Sequence, residues 1–174
     1  QGTEEVYQFA FPRVVVHCEV LGSRLILHVR NNADLEIWSS DATTIGTQLV
    51  SSLPTASRYP QFQKLGNEMF FTVDGQLYKT DGTATGTVMV HDIRPGASDS
   101  IVYIAATASR LWFSAYDDVH GREMWSTDGT VIGTQLLDDY VPGIGSGVVD
   151  SSFVVGTQDQ IYFHATDGGL AHGL

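Results

Sequence analysis

The chain has 174 residues, with nine Lys plus Arg against twenty Asp plus Glu and a formal charge of -11. Its 43% hydrophobic content excludes a disordered acidic tail, and the lack of a basic patch excludes binding to nucleic acid phosphates. A single cysteine, Cys18, excludes an internal disulfide framework, and no apolar run is long enough for a membrane-spanning helix.

Short strand-like runs follow one another from the start of the chain. Gln1-Gly2-Thr3-Glu4-Glu5-Val6 matches Gly46-Thr47-Gln48-Leu49-Val50 with a one-residue extension, and residues 1–9 are expected to form an outer strand. The first unit then offers strands at Arg13–Gly22, Ser23–Val29 and Glu36-Ile37-Trp38, with a fourth after Gly46-Thr47. The second offers Tyr59–Gly66, Asn67–Val73 and Gln76–Thr80, with a fourth after Gly86-Thr87. The third offers Ile101–Ala108, Ser109–Ala115 and Glu123–Thr127, with a fourth after Gly133-Thr134. A fourth unit begins with Val148–Gly156 and Asp159–Ala165, and the chain stops before its third strand. The runs are branched or aromatic and bounded by Gly, Asp, Asn and Ser, and none has a helical period.

The units repeat in sequence as well as in pattern. Trp38, Tyr78 and Trp125 are equivalent, and so are Asp41, Asp81 and Asp128. This arrangement predicts an all-β β-propeller of four-stranded blades, about four in number with the last incomplete. The approximate units are 12–50, 59–92, 101–139 and 148–174, within one repeat domain over 1–174.

Each repeated residue has a structural reading. The three aromatic residues are expected to pack between sheets. The three aspartates are expected to accept backbone N–H groups two or three residues on. Gly46, Gly82, Gly86, Gly129 and Gly133 are expected to use positive φ, with Ala42 departing from the pattern. Cys18 reads as a small buried hydrophobe. Asp34, Asp117, Asp118 and Asp167 stand in acidic loops and are weak calcium candidates beside their reading as solvated turns. Calcium is the one ion these loops could hold, and no other cofactor is expected. Glu36 and Glu123 hold equivalent strand positions, but nothing in the sequence makes them meet as a glycosidase pair would.

The segments Glu123–Thr134, Gln76–Gly96 and Leu111–Gly121 carry a Trp/Tyr–Asp-Gly-Thr–Gly-Thr signature. It resembles the tandem "ELW…DGT…GT" repeat family of secreted and cell-surface proteins. The resemblance implies a propeller-like fold, an extracellular or cell-surface location, and a non-enzymatic role in adhesion, in recognition of glycan or protein surfaces, or in matrix structure. The alternative is a self-assembling structural unit, forming closed or filamentous homo-oligomers by edge-strand completion or continuing a larger repeat protein. A polysaccharide-acting enzyme ranks below both. Neither nucleic acid nor membrane insertion is expected.

Overall fold

The computed structural model describes residues 5–32, 34–55, 60–98, 100–148, 154–166 and 171–172. Among these, every regular element is a β-strand. No helix among them is long and apolar enough to cross a membrane.

The first sheet holds β1 (Val14–Leu21), β2 (Arg24–Asn31), β3 (Asp34–Ser40) and β4 (Gln48–Pro54). The second holds β5 (Phe62–Leu65), β6 (Glu68–Val73), β7 (Gln76–Thr80) and β8 (Val88–Met89). The third holds β9 (Val102–Ala106), β10 (Leu111–Asp117), β11 (Gly121–Thr127) and β12 (Gln135–Leu136). Each is an antiparallel meander in sequence order. Beyond them lie two two-stranded sheets, β13 (Val154–Gly156) with β14 (Ile161–Phe163), and β15 (Ala165–Thr166) with β16 (Ala171–His172). Of residues 1–9, expected as an outer strand, 5–9 carry no regular structure and 1–4 lie outside the described residues.

Turn chemistry sets the meanders. Asp74 and Gly75 join β6 to β7 with φ of 49° and 79°. Two successive positive φ values match the twist of an antiparallel pair, and Asp-Gly tolerates them.

Alternation along the strands sends side chains to both faces of each sheet, and both faces of the central strands are buried. Ile26, Leu35 and Ile37 of the first sheet pack on Met69, Phe71 and Val73 of the second. Phe70 and Leu77 on the other face of the second sheet pack on Leu111, Phe113 and Ala115 of the third. Gly156 of β13 lies so close to Ala106 of β9 that a Cβ would overlap that backbone. The sheets therefore stack one on the next in chain order.

This stack corrects the expected β-propeller. The sheets are separate and open, and no strand pairing joins the first sheet to the last among the described residues. The outward face of the first sheet, with Leu27, Val29 and Trp38, is covered in part by Phe9 rather than by another sheet. Repeated local sequence specifies each meander and its neighbour contact. Closure depends on the angle accumulated from sheet to sheet, which no single repeat encodes.

Candidate functional site

The repeated motif builds the same small network three times. Asp41, Asp81 and Asp128 each accept the N–H and the hydroxyl of Thr43, Thr83 and Thr130, two residues on. Each of those hydroxyls accepts the N–H of Gly46, Gly86 or Gly133. The next threonine, Thr47, Thr87 or Thr134, donates back to the carbonyl of Thr43, Thr83 or Thr130. It also bonds the hydroxyl of Ser40, Thr80 or Thr127. The threonine hydroxyl foremost, then the amide, hold the carboxyls of Asp41 and Asp128 below the usual aspartate range. At Asp81 the threonine hydroxyl again leads, against partial burial. These carboxylates are occupied within their own turns.

The glycines of this motif divide into two kinds. Gly82 and Gly129 have φ of 89° and 92°, and Ala42 takes the equivalent conformation at 68°. A Cβ on Gly82 would lie 2.6 Å from Ile26 Cδ1, and one on Gly129 would lie 2.9 Å from Phe70 Cζ. Each turn thus presses on the second strand of the preceding sheet. Ala42 is exposed, which is why a methyl group fits there. The expectation of positive φ does not hold for Gly46, Gly86 and Gly133. They are glycine because a Cβ would overlap the carboxylate of Asp41, Asp81 or Asp128.

These two kinds predict opposite effects. Gly86→Ala ejects the Asp81 carboxylate and breaks its hydrogen bonds, costing about 2 kcal/mol. Ala42→Gly relieves a left-handed alanine, offset by glycine's greater unfolded entropy, and stabilises by up to about 1 kcal/mol. Denaturant titration of both variants checks the pair of signs. Equal, small effects at both positions would contradict the assignment.

A second repeated contact was not anticipated. Arg24 donates to Ser39 Oγ and to the Gly46 carbonyl. Arg110 does the same with Ser126 and the Gly133 carbonyl. In the second sheet the equivalent residues are Glu68 and Lys79, and they form an ion pair at 2.9 Å. The exchange of Arg–Ser for Glu–Lys between units was the sequence signal.

The aromatic residues at the third strand differ in their surroundings. Trp38 is buried, packs edge-to-face on Phe9 at 5.0 Å, and donates its indole N–H to Glu36. Tyr78 stacks near Phe71 at 5.9 Å. Trp125 is half-buried against the core between the second and third sheets, and its indole nitrogen has no partner among the described residues.

The acidic candidates are not brought together. Asp34 accepts the Ser52 hydroxyl. Asp117 accepts the amides of Val119 and His120 and pairs with the His120 ring at 2.8 Å. Burial works to raise the Asp117 pKa, and the His120 ring and these amides more than reverse it. Asp118 is engaged by Arg94 at 2.6 Å. Asp167 lies outside the described residues. Among the described residues no group of three or more His, Cys, Asp and Glu side chains could hold a metal ion. The calcium expectation is corrected on that ground, because each described candidate already serves a neighbour.

Glu36 and Glu123 stand on different sheets with unlike partners. Glu36 accepts from Arg13, Asn31 and Trp38. Burial works to raise its pKa, but those three donors and the Arg13 charge hold it below the usual range. Glu123 is fully buried and accepts the amides of Gly147 and Val141. Burial prevails there and pushes its pKa up, against those amides.

The remaining distinctive surface is the free edge of β1. This strand reads Val-Val-Val-His-Cys-Glu-Val-Leu, and among the described residues only β2 pairs with it. Val14, Val15, Val16 and Val20 are 58%, 42%, 39% and 53% exposed. Cys18 is exposed too, which corrects the expectation of a buried thiol. Several of the other edges are blunted. β8 and β12 have two residues each, β5 has four including Lys64, and β4 ends in Pro54. Short length, lysine and proline are the usual protections of a sheet edge, and β1 is long and apolar.

No family model matches the chain, and no curated protein matches it. The expected membership of the tandem repeat family is therefore corrected, and the adhesion role that followed from it goes too. That role also required a closed ring, and the sheets are open.

Proposed function

We propose that the chain is a self-associating structural unit that joins copies through an open sheet edge. The carrying observation is β1, eight residues long with four exposed valines and, among the described residues, no strand paired on its outer side. Such a strand offers unpaired backbone groups and apolar side chains together, and a second strand satisfies both. A structural rather than catalytic role is part of this proposal, supported by the carboxylates of Glu36, Asp41 and Glu123, which accept hydrogen bonds from Arg13, Thr43 and Gly147.

Lysines on the exposed edge test the reading. Val16→Lys and Val20→Lys add charge at side chains already in contact with water, so the folded monomer should change stability by less than about 0.5 kcal/mol. Sedimentation velocity should show wild-type mass rising with concentration and both variants remaining monomeric. A wild-type chain that stays monomeric, or variants that associate as well as wild type, would overturn the proposal.

A further inference from the structure

The edge has a feature that names its partner. Val16 is the bulged residue of β1. The pairing with β2 passes from Val15–Val29 to His17–His28 and leaves Val16 without an opposite residue. At the other end, the Val20 N–H donates to Glu19 Oε1 at 3.2 Å and its carbonyl accepts from Lys64 Nζ at 2.5 Å. Both backbone groups of Val20 therefore point away from β2. Antiparallel alternation points those of Cys18 the same way.

We infer that the partner is β1 of a second copy, paired antiparallel about Cys18; this rests on the self-association proposed above. In that register Cys18 faces its own copy. Val16 faces Val20 of the second copy, so the residue left out of the first sheet meets the residue whose backbone groups point outward. His17 faces Glu19 of the second copy. Branched pairs and opposite polar pairs across strands are the stabilising combinations, and each occurs twice by symmetry. The contact is isologous and closes at two copies, giving a continuous eight-stranded sheet rather than a filament. Glu19 and Lys64 are bridged at 3.6 Å and occupy the Val20 groups that the second strand needs. They act as gatekeepers of the edge.

The test uses the native cysteine. A short bismaleimide should link Cys18 to Cys18 of the second copy in the full chain. A Cys18→Ser, Val14→Cys variant should give about tenfold less covalent dimer, because its thiols would lie about 27 Å apart along the paired strands. Lys64→Ala frees the Val20 carbonyl and should tighten the dimer roughly fivefold, equivalent to about 1 kcal/mol. Sedimentation velocity of each protein accompanies the cross-linking. A dimer in which Cys18 does not cross-link, or in which the Val14→Cys thiols link as well, overturns this register and leaves self-association standing. A monomer at every concentration in both wild type and Lys64→Ala overturns the self-association proposal and this inference with it.

Discussion

Phe71→Ala should lower stability by about 3–5 kcal/mol, the usual cost of removing a fully buried phenylalanine. Phe71 has no exposed surface and lies between the first two sheets with Ile26, Leu35, Ile37 and Met69. Its ring also meets His28 at 5.0 Å and Tyr78 at 5.9 Å. Removing it takes apolar contact from both sheets, and paired strands on either side resist collapse into the gap. Phe11→Ala is the control, because Phe11 is 97% exposed and should change stability by less than about 0.5 kcal/mol. Thermal or denaturant unfolding of the two variants separates them. Similar shifts for both would contradict the stacking of the first sheet on the second.

Acid should loosen the same interface through His28. This imidazole is fully buried against Phe62 and Phe71, and neither ring nitrogen has a partner among the described residues. Burial foremost, then the nearby His17, lower its pKa from 6.5 to about 3. His17 stands opposite on β1, half-buried and stacked on Phe62 of β5, and burial lowers its pKa too against the pull of Glu19. Glu19, which acts on His17, is itself bridged to Lys64 at 3.6 Å. In the unfolded chain His28 takes up a proton near pH 6.5, and in the folded chain it resists until about pH 3. Its contribution is therefore fully present above 6.5 and is lost progressively as pH falls toward 3. At pH 4 the loss should reach about 3 kcal/mol. His28→Leu keeps the volume and removes the unpaired nitrogens, so its stability should fall less on acidification. Unfolding midpoints of wild type and His28→Leu from pH 7 to pH 4 check this. Parallel curves for the two proteins would contradict it.

The meanders and their turns were legible in the sequence because each is a local pattern. Aspartate followed two residues later by threonine specifies its own hydrogen bonds, and the network stands in all three turns. The role of Gly46, Gly86 and Gly133 was not legible. A glycine needed for positive φ and one needed for close approach look alike until the carboxylate is placed. The Arg24–Ser39 contact and its Glu68–Lys79 replacement were within reach, since the partners exchange together between repeats.

Ring closure and edge exposure belong to a different level. The run Val14-Val15-Val16-His17-Cys18 has the composition of a buried strand, and only its place at the end of the strand order leaves it open. Likewise, Asp34, Asp117 and Asp118 have the composition of ion ligands, and their neighbours decide that they are hydrogen-bond and ion-pair acceptors instead.

Hydrogen exchange at β1, followed across a concentration series, tests the open-edge account most directly. The outward-facing amides of Cys18 and Val20 should exchange quickly in dilute protein and slow by at least about tenfold as the protein associates. The amides of β6, already enclosed by β5 and β7, should not change with concentration. Association detected by mass with no slowing at Cys18 and Val20 would contradict the account.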